Sequence, residues 1–290
     1  MESGQPFDCV AVLGPGLIGG SVLRAVRAKF PRVRLTVWAR RPEAVEELRG
    51  SPGLVDFASD EVNEAIEGAD CIILAMPTGF MGEVVARMDA FPAGTRVLVT
   101  DVGSVKAPVA REIGPLVTAR GGRFLGSHPM AGSEKKGLQY ADASLFEGAA
   151  VILTPDGTDM DEEANLQALS AFWKSLGGVI SVLTPERHDE VVAAISHLPH
   201  LAAAALVRSV LSRDPGAGSL SGGGFRDTTR VAGGPEDMWA GILTDNRVAV
   251  SRQLGEFIRE LESWKEALDV LDRDRLLSFL SEARRLRETL

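Results

Sequence analysis

Hydrophobic positions follow different patterns in the two parts of the chain. In the first part, short apolar runs such as 9–13 and 70–78 alternate with segments of helical spacing, whereas in the second part helical spacing continues alone. Uninterrupted apolar runs are typical of strands buried on both faces, and their alternation with helices predicts a doubly wound, mostly parallel sheet. We therefore expect an α/β fold, with this sheet in a domain at 7–183 and an all-helical domain at 184–290.

The first apolar run leads into a glycine motif. Gly14, Gly16 and Gly19 have the spacing G-x-G-x-x-G and precede a segment of helical spacing. In this context the glycines allow a tight turn, close approach of a pyrophosphate and close packing of the helix, whose N-terminus faces the phosphates. The motif predicts a Rossmann-type domain that binds a dinucleotide through Gly14, Gly16, Leu17, Ile18 and Gly19. The alternative is a tight strand-to-helix turn without a ligand.

The residues after the second predicted strand bear on the choice of cofactor. A domain that binds NAD usually has an acidic residue there for the ribose 2′-OH, whereas this chain has Ala39, Arg40 and Arg41. Guanidinium groups suit a 2′-phosphate, so the sequence favours NADP over NAD. Alternatively, the two arginines are solvated, or they stack on adenine in an enzyme that uses NAD.

The next two predicted strands end at the same edge of the sheet. Ligands of doubly wound sheets bind beyond the carboxyl ends of the strands. We therefore expect contacts with the cofactor from Ala75, Met76, Pro77, Asp101 and Ser104. Ser104 could instead cap the helix that is predicted to begin near Val105.

A histidine lies at the end of the next short strand. His128 precedes Pro129 and is flanked by Gly126 and Gly132, which indicates a constrained loop at the rim of the cleft. Unperturbed imidazole has a pKa of about 6.5, so His128 is a candidate general base. The alternative is a histidine that only hydrogen-bonds its own loop.

The apolar helical segment 186–206 contains the other three histidines. His197 and His200 are three residues apart and share one side of the predicted helix, whereas His188 points to the opposite side, and Pro199 should kink the helix. Neither H-E-x-x-H nor a cysteine accompanies the pair, so we expect no metal site. The two histidines are either structural or in contact with the substrate.

A glycine-rich segment at 219–239 contains a second candidate site. Asp227 and Arg230 are three residues apart and can meet on a helical turn, which would hold the guanidinium for a bidentate grip on a carboxylate. The alternative is a surface ion pair that contributes little.

Composition narrows the possible partners. A net charge of −9 without basic stripes argues against nucleic acid. Two cysteines in apolar runs suit a reducing compartment, and the N-terminus lacks the pattern of a signal peptide. No apolar run approaches the about 20 residues of a membrane span, so we expect a cytoplasmic protein without a membrane partner. The apolar stripe of the last fifty residues predicts a homodimer formed through the C-terminal helices.

Three segments together resemble one family. They are GSHPMAGSE at 126–134, HDEVVAAISHLPH at 188–200 and GGGFRDTTR at 222–230, with Trp239 beyond them. In sequence, order and spacing they resemble the prephenate and arogenate dehydrogenases of tyrosine biosynthesis, over nearly the whole chain. The resemblance implies NAD(P)-dependent oxidative decarboxylation of a cyclohexadienol, in which hydride passes to nicotinamide, CO₂ leaves and the ring becomes aromatic.

The resemblance also implies roles for individual residues. His128 matches the catalytic base, and Ser104 matches a serine that hydrogen-bonds in the same site. Arg230 matches the arginine that binds a substrate carboxylate, with Asp227 as its holder. The remaining matches are wall and gate residues of the substrate pocket, namely His197, His200, Glu134 and Trp239.

The resemblance is compatible with either prephenate or arogenate as the substrate. Arogenate carries an ammonium group on the side chain where prephenate carries a keto group, so an acidic residue near that group would favour arogenate. Glu186, Asp189 and Glu190 are candidates. Because the sequence ends at Leu290 without a following regulatory domain, tyrosine would have to inhibit at the active site. The alternatives are a β-hydroxyacid or imine reductase, which commonly needs a lysine that 186–206 lacks, and a non-enzymatic nucleotide-sensing dimer.

Overall fold

A computed structural model of the protein describes residues 5–132, 135–157 and 161–289. Six strands form a parallel sheet in the order β3-β2-β1-β4-β5-β6. Their bounds are β1 Cys9–Leu13, β2 Arg34–Trp38, β3 Phe57–Ser59, β4 Cys71–Leu74, β5 Leu98–Asp101 and β6 Arg123–Phe124. The sheet is the doubly wound, parallel sheet that the apolar runs predict.

Five helices cover the two faces of this sheet. They are α1 Leu17–Lys29, α2 Pro42–Arg49, α3 Val62–Ile66, α4 Thr78–Ala86 and α5 Ala107–Thr118. Successive residues of β1 point to opposite faces, so that Val10 and Val12 join one hydrophobic cluster while Ala11 and Leu13 join the other. The uninterrupted apolar runs follow from this burial on both sides.

A second, smaller sheet was not expected from the sequence. It consists of β7 Gly126–Pro129, β8 Ala150–Thr154 and β9 Val179–Val182, with β7 antiparallel to β8 and β8 parallel to β9. Helix α6, Glu162–Ser175, lies between β8 and β9 in the chain. His128 therefore lies within a strand rather than on a loop. The Ser127 hydroxyl donates a 2.7 Å hydrogen bond to the Asp101 carbonyl and so ties β7 to the end of β5.

After β9, the described chain contains six α-helices. They are α7 Pro185–Val192, α8 Leu198–Leu211, α9 Gly223–Thr229, α10 Glu236–Asp245, α11 Arg247–Asp269 and α12 Arg273–Arg287. A π-helical turn, Ala193–His197, joins α7 to α8 directly before Pro199. The expected irregularity is present, but it is a wider turn in front of the proline.

The stretch Pro185–Leu211 departs from the expectation that no apolar segment is long enough to span a membrane. By length and composition alone it could cross a membrane, with a mean hydropathy of 1.5 in its most apolar window. The same stretch carries His188, Asp189, His197 and His200, all of which are buried. These four residues attach the stretch to the rest of the protein, while 28% of its most apolar window is buried.

Candidate active site

A cleft of about 400 Å³ opens at the carboxyl edge of the large sheet. Gly14 has a φ of 104°, and a Cβ there would lie 2.7 Å from the Ala75 carbonyl oxygen. A Cβ on Gly19 would overlap the Gly14 carbonyl oxygen. At Gly16, by contrast, no atom of the described chain lies within 4 Å of that position. Gly14 and Gly19 are thus required by the fold, whereas Gly16 leaves space for a ligand.

The start of α1 fits the phosphates of a dinucleotide. Gly16 is the N-cap of α1, no described side chain caps the helix, and its first turn has no acidic residue. The first amides of the helix, including those of Leu17 and Ile18, are therefore available to an anion. The predicted contacts that line the cleft itself are Gly14, Gly16, Ala39, Arg40, Arg41, Ala75, Met76 and Pro77.

An aromatic ring that the sequence analysis missed lies at the adenosine end of the cleft. The Arg40 guanidinium lies over the Phe80 ring, 5.2 Å from its centroid. This distance is within the usual range of a cation–π contact. Arg40 is exposed, but it contacts the wall of the cleft through this ring.

The prediction that Asp101 contacts the cofactor is wrong. Its side chain is fully buried, forms an ion pair with Lys106 and accepts a 2.8 Å hydrogen bond from the Gly103 amide. Asp101 points beneath the loop after β5, toward Lys106. The buried ammonium group of Lys106 requires a nearby negative charge, and Asp101 provides it. Its role is to hold this loop and Lys106.

His128 belongs to a chain of hydrogen bonds that crosses the domain boundary. Its Nδ1 atom lies 2.8 Å from Nε2 of His188, whose Nδ1 atom lies 2.8 Å from Oδ1 of Asp189. Burial lowers the pKa of His128 well below its usual value, and His188, Lys106 and His197 lower it further. Burial also lowers the pKa of His188, although its hydrogen bond to Asp189 opposes that effect. Both imidazoles are therefore neutral at pH 7.

The position of His188 corrects the sequence analysis. An α-helix would place His188 and His197 on opposite sides, but both are buried, and each perturbs the titration of nearby histidines. The reason is the turn Ala193–His197, since a π-helical turn holds more residues than an α-helical one and changes the phase between the two histidines. His188 thus reaches His128, 60 residues earlier in the chain.

Asp189 caps the start of α5. Its Oδ1 accepts a 2.7 Å hydrogen bond from the Lys106 amide, and its Oδ2 accepts a 2.9 Å bond from the Ala107 amide. Helix α5 begins at Ala107, and Ser104 is half-buried and does not cap it. Because these contacts occupy the Asp189 carboxylate, it is no longer a candidate for binding a substrate ammonium group.

The other two acidic candidates lie at the surface. Glu190 forms ion pairs with Arg187 and Arg252, at 3.0 and 3.2 Å. Glu186 is exposed in the first turn of α7. Neither carboxylate is part of the chain that leads to His128.

Next to this chain, two further histidines contact one tryptophan. His200 stacks on Trp239 with ring centroids 3.5 Å apart and planes 10° apart, and the His197 ring meets the same tryptophan edge-on at 6.2 Å. The Asn246 amide lies 3.2 Å from Nδ1 of His197. In the described part of the chain, Nε2 of His197 and Nδ1 of His200 are buried without a hydrogen-bond partner. Buried polar atoms of this kind are suited to a bound polar ligand.

The predicted pairing of Asp227 with Arg230 is wrong. Both residues are exposed, and the ion pairs of the described residues do not include one between them. The Asp227 carboxylate instead turns back toward Gly223, at the first turn of α9. Arg230 follows α9 and begins a short 3₁₀ turn, Arg230–Gly233. The backbone of Val231, in that turn, hydrogen-bonds His200. Glu134, the remaining predicted pocket residue, lies outside the described residues.

Sequence reasoning did not place four residues around His128: it gave His188 and Asp189 other positions or roles, and it missed Lys106 and Asn246. His188 and Asp189 complete the hydrogen-bond chain, Lys106 lies beside it, and Asn246 donates a 2.8 Å hydrogen bond to the Asp189 carbonyl. The adjacent His-Asp pair in the sequence was the available signal. The wider helical turn, which brings it to the site, has no such signal.

Comparison with known proteins finds relatives that match nearly the whole chain. Models described as the nucleotide-binding domain and the dimerization domain of prephenate dehydrogenase match residues 22–182 and 184–282. The cyclohexadienyl dehydrogenase of Zymomonas mobilis is 34% identical over 287 residues, which span 97% of this chain and 95% of that protein.

Two solved structures are similar over their full length. The prephenate dehydrogenase from A. aeolicus, in complex with hydroxyphenyl propionate and NAD⁺, has a TM-score of 0.82 and 29% identity, and the match covers 97% of this chain and 98% of that one. The arogenate dehydrogenase from Synechocystis has a TM-score of 0.80 and 29% identity, with coverage of 97% and 99%. These matches and the geometry of the site agree: the chain belongs to the prephenate dehydrogenase family.

Proposed function

We propose that this protein oxidises prephenate or arogenate, with His128 as the general base. The observation that supports this role is the position of His128. Its imidazole is buried and lies 2.8 Å from His188, in a strand tied to the carboxyl edge of the dinucleotide-binding sheet. His128 takes the proton of the ring hydroxyl as the carbon that bears this hydroxyl loses hydride, which leaves a ring ketone. The ring carboxylate then leaves as CO₂, its electron pair makes the ring aromatic with a phenolate oxygen, and His128 returns the proton to that oxygen. A nicotinamide cofactor held in the cleft by the glycine turn and the start of α1 would supply the hydride acceptor. The products are an aromatic phenol, CO₂ and the reduced cofactor.

We assign the substrate pocket to the histidines of the helical domain. His197 and His200 each have a buried nitrogen that finds no hydrogen-bond partner among the residues that the structure describes, and Trp239 packs against both rings. Arg230, at the turn that contacts His200, is the proposed anchor for a substrate carboxylate. Ser104 remains a proposed contact because it is half-buried on the loop before α5.

For the cofactor, a nicotinamide dinucleotide is supported by the nucleotide-binding domain and by the glycine turn. The finer choice, NADP over NAD, is a proposal. It is supported by Arg40, which lies over the Phe80 ring, and by Arg41, which lines the same end of the cleft. Glu47 and Glu83 also line the cleft and would disfavour a second phosphate close to them.

The match to a dimerization domain supports a dimer. We propose that the partner covers apolar side chains of the C-terminal helices, where Val248 of α11 is 76% exposed and Leu271, just after it, is 85% exposed. A mass that stays monomeric at all concentrations in sedimentation would refute the dimer.

Tyrosine, if it inhibits, would compete with the substrate, because its phenol ring and carboxylate resemble the product.

Initial rates test the proposed function directly. The purified protein is assayed with prephenate and with arogenate, each with NAD and with NADP, while reduced nicotinamide and CO₂ are measured together. Equal amounts of both products with one of the substrates would support the proposal. Absence of turnover in all four combinations would refute it.

A further inference from the structure

The directions of the hydrogen bonds around Asp189 can be deduced from their partners. Backbone amides only donate, so both Asp189 oxygens are acceptors toward Lys106 and Ala107. An ionised carboxylate has no proton to give. Nδ1 of His188, 2.8 Å from Oδ1, must therefore carry a proton and donate it to Asp189.

This requirement extends to His128. A neutral imidazole has one N–H group, so a proton on Nδ1 of His188 leaves its Nε2 as an acceptor. Nδ1 of His128 lies 2.8 Å from that acceptor and must be the donor. In neutral His128, the proton is thus on Nδ1, and Nε2 carries the free lone pair.

The groups around the chain hold this arrangement. Two amides at the start of α5 fix the Asp189 carboxylate, and Asn246 binds the carbonyl of the same residue. The nearby Lys106 ammonium is paired with Asp101, so it does not compete for Asp189 through its side chain. The contacts of Asp189 are therefore sufficient to explain the orientation of the His188 ring.

We infer that His188 and Asp189 are positioning residues, which fix His128 in the tautomer whose Nε2 receives the substrate proton. This inference rests on the proposed role of His128 as base. After proton transfer, the imidazolium of His128 still donates from Nδ1 to His188, and the carboxylate of Asp189 lies at the end of the same chain. The pair thus prepares the base before the reaction and stabilises its charged form afterwards.

Two substitutions at His188 separate the two ends of the imidazole. In His188→Gln, the side-chain amide oxygen can reach the place of Nε2 and accept from His128. In His188→Asn, the shorter amide can reach only the place of Nδ1 and donates to Asp189, so His128 loses its acceptor. Both variants keep Asp189 and its contacts with α5, which limits the effect on folding.

We expect a split between kcat and KM. His188→Asn should lower kcat by on the order of 10²-fold and change KM by less than about threefold, because the base is present but held in the wrong tautomer. His188→Gln should recover most of this loss and stay within roughly tenfold of the wild type. Equal losses in both variants, or a loss confined to KM, would overturn the inference.

A second readout does not depend on turnover. The ¹⁵N chemical shifts of the imidazole nitrogens show which nitrogen carries the proton, and the four histidines of the chain can be assigned from single substitutions. We expect the proton of His128 on Nδ1 in the wild type and in His188→Gln, and a shift toward Nε2 in His188→Asn. A proton on Nε2 in the wild type would overturn the inference. If the wild type oxidises neither substrate, the proposed function fails, and the tautomer measurement still decides this inference.

Discussion

The cofactor cleft and the hydrogen-bond chain from Asp189 to His128 are built in different ways. The cleft depends on glycines that lie within six residues of one another, and its geometry follows from local steric limits. The chain joins residues that are 60 and 83 positions apart, from both domains. The cleft can therefore be recognised from spacing alone. The chemistry of the base depends on how the two domains meet.

The largest effect is expected at the base itself. His128→Asn should lower kcat by about 10²- to 10⁴-fold, the usual contribution of a general base, while the affinity for the cofactor is unchanged. Steady-state kinetics and cofactor titration measure the two quantities. Equal kcat in the variant and the wild type would exclude His128 as base.

The long-range site should also make the protein sensitive to acid. Burial lowers the pKa of His197 to about 4, against the attraction of Asp189. An unfolded histidine has a pKa of about 6.5, so below this pH the unfolded chain binds a proton that the folded chain excludes. Stability is then complete above pH 6.5 and falls as the pH approaches 4.

The expected loss from His197 is about 3 kcal/mol over this range, which corresponds to the pKa difference at about 1.4 kcal/mol per unit. Denaturant unfolding at fixed protein concentration measures it, since a dimer's stability depends on concentration. His197→Gln should show a smaller drop between the two pH values. An identical drop in both proteins would contradict the lowered pKa.

Substitutions in the glycine turn test whether the cofactor cleft depends on local steric limits. Gly19→Ala should cost about 1–3 kcal/mol of stability, because its Cβ would overlap the Gly14 carbonyl oxygen. Gly16→Ala should leave the thermal midpoint of the free protein nearly unchanged but weaken cofactor binding, because its Cβ enters open space meant for the pyrophosphate. If both variants lose the same stability, Gly16 is structural as well.

The smallest effect is expected at the adenosine end. Arg40→Ala should raise the KM for NADP by about tenfold, or roughly 1.4 kcal/mol, because one exposed cation is lost from a charge-assisted contact. The KM for NAD should change less. A Phe80→Leu variant separates the guanidinium from the aromatic ring that supports it. A larger effect on NAD than on NADP would favour stacking on adenine instead.

The sequence was sufficient for the sheet, the glycine turn and the helical second half, because each depends on local periodicity or local sterics. It pointed to His128 through one short segment and through a family resemblance. It failed for Asp101, where a short apolar run followed by an aspartate gave no sign of the buried partner Lys106. It failed for His188 as well, because an assumed regular helix rotates that residue away from the site.

The same limit explains the Asp227 and Arg230 pair. A spacing of three allows contact on a helical turn, but α9 ends at Thr229, between the two residues. The second sheet was missed for a related reason, since β6 has two residues and only Leu125 separates it from β7. Tertiary contacts decide where a helix ends or a strand is interrupted by a single residue. The hydrogen bond from Ser127 to Asp101 is one such contact.

A crystal structure with the nicotinamide cofactor and hydroxyphenyl propionate would test most directly whether the two domains form one site. We expect Nε2 of His128 within hydrogen-bond distance of the phenol oxygen, about 3 Å, and Arg230 at the carboxylate of the same ligand. If His128 and Arg230 open onto separate surfaces, or if the phenol oxygen is bound by another group, the proposed mechanism is wrong.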